Sequence, residues 1–114
     1  MEELDMYERS KHLMDCHIAG FTYYNGLDVI DELVLGTSVN LKSEPENPYD
    51  TNAVSIYYGD TKLGYVPREK NKYICDLLFF GHEDIIEAKI NYRNLENNAE
   101  HQFRITVKIK DNRK

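Results

Sequence analysis

Tyr49 and Asp50 sit side by side in a short loop fenced by Pro45 and Pro48, with Asn47 before them and Asn52 two places on. A ring next to a carboxylate is chemistry for recognition. The ring offers a flat face for stacking, and the carboxylate accepts hydrogen bonds. Pro48 stiffens the backbone ahead of the ring, which limits the entropy lost when that ring becomes a platform. Tyr23 and Tyr24 lie upstream of the loop, and Tyr65 and Arg68 flank Pro67 downstream of it. Each residue also has a plainer use. Tyr49 can fold back over the loop, and Asp50 can brace the turn by accepting backbone N–H groups two places ahead. If the backbone is extended, Tyr23 and Tyr24 point to opposite sides, one into the core and one outward.

Catalysis finds no support. The chain contains no G-x-S-x-G, G-x-G-x-x-G or phosphate-loop sequence. His82-Glu83 lacks a second histidine four places on, so it is no zinc-protease signature. His12, Cys16 and His17 fall close together, but a tetrahedral metal site needs a further ligand pair at fitting spacing, and only lone residues are left to supply it. No enzyme activity, metal or cofactor is expected.

With 114 residues, 41% of them hydrophobic, the chain has material for one core and hardly for two. Its net charge of −6 is uneven: residues 1–50 carry 3 basic and 11 acidic groups, residues 51–114 carry 11 and 9. A protein that grips a long duplex by its phosphates is normally basic. Any nucleic-acid role here must rest on a local site led by stacking and hydrogen bonding. Cys16 and Cys75 lack metal spacing, no apolar run of signal-peptide length opens the chain, and no segment approaches a membrane span. These features point to two free core thiols and a cytoplasmic protein.

The elements that must position the tyrosine loop follow from periodicity. Residues 1–14 read as an acidic arm or short helix, and residues 15–114 as a single domain. Leu27, Ile30 and Leu33 fall at helical spacing after a turn at Tyr23–Gly26. Val39 and Leu41 alternate with polar neighbours and lead into the loop. Val54, Ile56 and Tyr58 leave it as a strand that returns through Gly59-Asp60 to Leu63–Val66, a hairpin. Glu69–Phe80, with Tyr73, Ile74, Leu77 and Leu78 on one side and Gly81 at its end, reads as a helix. Ile86, Ala88, Ile90 and Tyr92 alternate with polar residues in a strand, and Phe103, Ile105, Val107 and Ile109 do so in another. Arg104, Thr106, Lys108 and Lys110, with Lys89 and Arg93 beside them, are a solvated strand face or, less simply, a phosphate track. The fold class expected is mainly β: a small, partly open barrel of the SH3-like or oligonucleotide-binding kind. It should have five to six strands and one or two short helices, since closure removes exposed edges.

Three segments in order, Gly20–Gly26, Glu44–Val54 and Leu63–Arg68, resemble the HIRAN domain, a small module at the front of some DNA-remodelling helicases and also a stand-alone protein. The resemblance runs from about Cys16 to Ile109 and implies the same kind of barrel. It further implies binding of single-stranded DNA, with capture of a free 3′-hydroxyl end, in the setting of DNA repair. Tyr23 and Tyr49 match the rings on which terminal bases stack, and Asp50 matches the carboxylate that accepts the terminal hydroxyl. Tyr65 stands at a phosphate-contacting position that is histidine in some members, and Arg68 at that of a basic neighbour. Thr22 stands where end-capturing members carry a positive residue. The expected contact set is Tyr23, Tyr24, Asn47, Tyr49, Asp50, Tyr65 and Arg68. No helicase motor motif is present, so the module either works alone or recruits a protein partner that supplies a helicase or nuclease. Two other readings stay open on the same fold: a protein-interaction module whose tyrosine-rich loop grips a peptide, and an acidic DNA mimic.

Overall fold

The computed structural model describes residues 10–110. Six strands form one antiparallel sheet: β1 (Ser10–His17), β2 (Ser38–Ser43), β3 (Val54–Tyr58), β4 (Thr61–Tyr65), β5 (Ile86–Arg93) and β6 (Phe103–Lys110), in the spatial order β1-β6-β5-β2-β3-β4. Among the described residues one helix, α1 (Lys72–Phe79), and several 3₁₀ turns complete the fold. The mainly β, partly open barrel with short helices is what the sequence called for.

Alternation builds the core. Phe103, Ile105 and Val107 of β6, Ala88 and Ile90 of β5, Val39 and Leu41 of β2, and Val54 and Ile56 of β3 are all buried. Cys16, Ile18, Phe21 and Leu33 close the cluster from the first third of the chain, and Ile74 and Cys75 close it from α1.

Several local readings need correction. Residues 10–14, expected in the arm, belong to β1; the rest of that arm lies outside the described residues. The strand was hard to see because a bulge between His12 and Met14 breaks its alternation. A second bulge, between Ile90 and Tyr92, shifts the parity of β5, so Tyr92 faces Arg104 rather than continuing the inward row. The helix expected from Glu69 begins at Lys72. A 3₁₀ turn over Arg68–Lys70 comes first, after Pro67. Tyr73 is exposed, and Ile74 with Cys75 forms the buried side. Gly81 ends α1 at φ 87°, with Gly81 N–H donating to Leu78 O and His82 N–H to Leu77 O, the paired bonds of a Schellman cap.

Closure depends on one crossing. Beyond β1 the chain continues through Ile18 to Ala19, which exchanges both backbone hydrogen bonds with Tyr65 of β4 (2.8 and 2.9 Å). The first strand thus meets the last, and the sheet curls into a barrel. Gly64 makes the approach possible. Its φ is 153°, and a Cβ there would collide with the Ala19 carbonyl oxygen and lie 2.8 Å from Ile18 Cγ2. At the opposite seam β2 and β5 pair through Ser38–Lys89 and Val39–Ala88, and the run just ahead of β2 extends the ladder, with Gly36 N–H donating to Ile90 O (2.8 Å) and Ile90 N–H to Thr37 O (2.9 Å). Leu78 of α1 faces that seam beside Val39, Leu41 and Ile86.

Gly64→Ala should therefore cost about 2 kcal/mol or more, because strain and a backbone collision act together. Gly59→Ala, at φ 58° with open space around it, should cost about 1 kcal/mol. Urea unfolding of both variants checks this, and equal losses would contradict the closure argument.

Candidate functional site

The loop between β2 and β3 is held by its own side chains. Glu44 N–H donates to Ala53 O (2.9 Å) and closes the base. Asn47 Oδ1 accepts from Tyr49 N–H (2.8 Å) and Asp50 N–H (3.1 Å), and Asp50 Oδ1 accepts from Asn52 N–H (2.9 Å). These side-chain turns wind the backbone so that Tyr49 is thrown outward, 86% exposed. The ring does not fold back over the loop.

Asp50 is more deeply engaged than its neighbour. Its side chain is 18% exposed, Oδ2 accepts from Asn71 Nδ2 (2.9 Å), and Arg68 Nε lies 3.5 Å away. The Asn52 N–H, then the Asn71 amide, hold its carboxyl below the usual aspartate range. Arg68 Nη2 also donates to the Tyr49 carbonyl (3.1 Å), so the loop is pinned from the start of the helical region. Asp50 thus braces the turn, as its plainer use required. A carboxylate has about four acceptor sites, so it is not saturated by these bonds.

The upstream tyrosines are placed by a 3₁₀ turn over Phe21–Tyr23 rather than by extended backbone. Gly20, at φ 75°, opens it, and its N–H donates to the Glu100 carboxylate (2.9 and 3.2 Å). Phe21 is buried against Phe103, ring centroids 5.1 Å apart, and packs on Gly26 too closely to leave room for a Cβ there. With Phe21 as anchor, Tyr23 is left 82% exposed while Tyr24 turns inward. The Tyr24 and Tyr65 rings meet edge-on at 5.7 Å.

Beside those two rings lies a cluster that the sequence reading missed. Lys62 Nζ donates to Tyr65 Oη (2.6 Å) and to Glu44 Oε2 (3.0 Å), and Tyr65 O–H donates to Glu44 Oε1 (2.8 Å). Asn47 Nδ2 donates to the same Glu44 oxygen (3.1 Å). The ammonium also stands 4.4 Å from the centre of the Tyr65 ring and 4.8 Å from that of Tyr24. Burial opposes ionisation of Glu44, but the hydrogen bonds from Tyr65, Asn47 and Lys62 outweigh it and lower its pKa. Burial first, with the Glu44 carboxylate beside it, pushes the Tyr65 phenol up to about 12 against the pull of Lys62. For Lys62, burial lowers the pKa, and the bonds to Tyr65 and Glu44 more than reverse it.

These parts surround one cleft of about 660 Å³. Tyr24, Asn47, Tyr49, Asp50, Tyr65 and Arg68 all line it, together with Glu44, Glu46 and Asn71. Tyr23 lies outside the lining, next to Tyr24 in the chain. Lys62 and Asn71 left no signal in the sequence: one reads as a hairpin surface lysine, the other as a helix-interior polar residue.

Other sequence candidates separate. Cys16 is buried while His12 pairs with exposed Asp15 (3.1 Å), and no group of three or more metal-ligating side chains occurs among the described residues. Both thiols are free and buried, and burial pushes Cys16 up to about 11. The basic face of β6 is interrupted by Asp15 opposite Thr106 and Glu87 opposite Lys108, and Lys89 pairs with Glu87 (3.3 Å), which makes it an ordinary solvated face. No helix among the described residues is long and apolar enough to cross a membrane.

Residues 11–110 match the family model of the HIRAN domain. Among solved structures, a protein from Lactobacillus plantarum superposes with a TM-score of 0.74 at 22% identity, covering 88% of this chain and 94% of that one. The HIRAN domain of human HLTF superposes with a TM-score of 0.62 at 23% identity, covering 90% and 81%. No curated protein matches the sequence significantly.

The Asp50–Asn71 bond makes a prediction about acid stability. The folded pKa of Asp50 is lowered, so its stabilisation is full above the unfolded value of about 3.9 and is lost as pH falls through the folded value. Asn71→Ala should lower stability at pH 7 by about 1–3 kcal/mol and shrink the loss that sets in as pH falls below the unfolded value of about 3.9. Denaturant midpoints across that range check it; an unchanged acid limb would contradict the bracing role.

Proposed function

This chain belongs to the HIRAN domain family, and from that premise we propose that it is a non-enzymatic DNA-binding module that takes the 3′-hydroxyl end of a single strand in the tyrosine cleft. One observation carries the reading: six of the seven residues expected to contact DNA line the same cleft, with the Tyr49 ring presented on a braced loop.

The chemistry is simple. Tyr49, with Tyr23 beyond the cleft rim, gives stacking faces that accept any base. Asp50 has lone pairs left for a terminal hydroxyl, and its charge disfavours a phosphate in that place. Tyr65 and Arg68 serve the phosphates behind the end. The backbone that carries Tyr49 loses little entropy on binding, since its loop is ordered before the strand arrives. The acidic wall of Glu44, Glu46 and Asp50 favours a second reading, a basic peptide held by the same tyrosines. A cytoplasmic setting, with a partner that supplies helicase or nuclease action, fits the DNA reading.

Two stacked bases at about 1–3 kcal/mol each, with a few hydrogen bonds, predict roughly micromolar affinity. About two phosphate contacts predict a log–log salt slope near −1.4. Tyr49→Ala should weaken binding to any single strand by about 1–3 kcal/mol whatever its terminus. Asp50→Asn should narrow the preference for 3′-OH over 3′-phosphate ends. Loosening the loop weakens both ends alike, so the ratio between ends isolates the charge effect. Fluorescence anisotropy with the two oligonucleotides measures it. An unchanged ratio would sink end capture, and binding of a basic peptide alone would establish the second reading.

A further inference from the structure

Among the described residues, Glu44, Glu46 and Asp50 line the cleft against one lining cation, Arg68, which is already turned to the Tyr49 carbonyl and to Asp50. A site for nucleic acid needs positive charge within reach of a phosphate. Lys62 supplies it from behind the wall. Its side chain is 23% exposed, its ammonium touches the Tyr65 hydroxyl at 2.6 Å, and both cleft rings lie beneath the charge. Glu44 holds it there at 3.0 Å and takes the Tyr65 proton donor as well.

We propose that Lys62 and Glu44 together set how much phosphate the cleft accepts. Lys62 is the positive charge behind the Tyr65 hydroxyl that attracts a backbone phosphate to the cleft wall, and Glu44 is the counter-charge that keeps an additional terminal phosphate out. This rests on the strand-end reading above and adds two residues outside the stacking set to the selectivity that the reading gives to Asp50. The reasoning is electrostatic. A unit charge about 6 Å from a phosphate, at an effective dielectric between those of water and a protein surface, changes affinity by roughly 3- to 30-fold once salt screening is included. Neither residue acts alone, because each compensates the other.

The test uses the full chain and 5′-labelled oligothymidylates ending in 3′-OH or 3′-phosphate. Glu44→Gln keeps the size and an acceptor oxygen but removes the charge. It should tighten the 3′-phosphate strand by about 3- to 30-fold and change the 3′-OH strand less. Lys62→Met should weaken both strands and reduce the salt slope by about 0.7, the share of one phosphate, and Lys62→Arg should restore that slope. A purely structural clip between loop and β4 predicts otherwise: every variant shifts both strands by one factor and leaves the slope alone. That result overturns the assignment. Wild type that binds neither strand overturns the strand-end reading and this inference with it, whereas wild type with an end preference untouched by these substitutions overturns this inference only. Should Glu44→Gln fail to fold, the slopes of Lys62→Met and Lys62→Arg decide alone.

Discussion

Two hydrogen bonds between Ala19 and Tyr65 turn a curled sheet into a barrel, and the cleft hangs from that junction. They set Tyr65 at the cleft wall, bring the Phe21–Tyr23 turn alongside β4, and so let Tyr24 meet the Tyr65 ring. The contact is between backbones, and it forms only because residue 64 has no side chain. In so small a domain one such closure does the work that a larger core would share among many contacts.

Around that junction the polar groups fix the loop backbone and the Tyr65 hydroxyl. Asn47 and Asp50 wind the loop, and Asn71 and Arg68 tie it to the helical region. Glu44 and Lys62 hold the Tyr65 hydroxyl. The outcome is a division of labour along the chain: Tyr49 and Tyr23 are exposed, whereas Glu44, Lys62 and Asp50 are partly buried and each paired with an opposite charge. An acidic protein can in this way keep a recognition site whose main currency is stacking rather than phosphate charge.

Much of this was legible in the residues. The faultless alternation of Phe103–Lys110 gave β6 its bounds, because a buried face demands period two. Pro45, Pro48 and the Asn/Asp residues marked the loop, since turn chemistry is local. What stayed hidden was tertiary. Bulges at Leu13 and Asn91 shift parity and concealed β1 and the direction of Tyr92. Lys62 acquires meaning only when β4 brings it against Glu44, eighteen positions away, and Asn71 only when α1 docks beside the loop. Lys62 meets the Tyr65 hydroxyl from three places back on the same strand, where a register irregularity in the β3–β4 pairing breaks the simple alternation.

The most direct measurement is a titration of the ¹⁵N-labelled chain with a short oligothymidylate ending in a 3′-hydroxyl, followed by amide chemical shifts. The account predicts saturable shifts largest at Tyr24, Asn47, Tyr49, Asp50, Tyr65 and Arg68, the residues around the cleft. Shifts gathered instead on the β1–β6–β5 face around Arg104 and Lys108, or none at all, would contradict it.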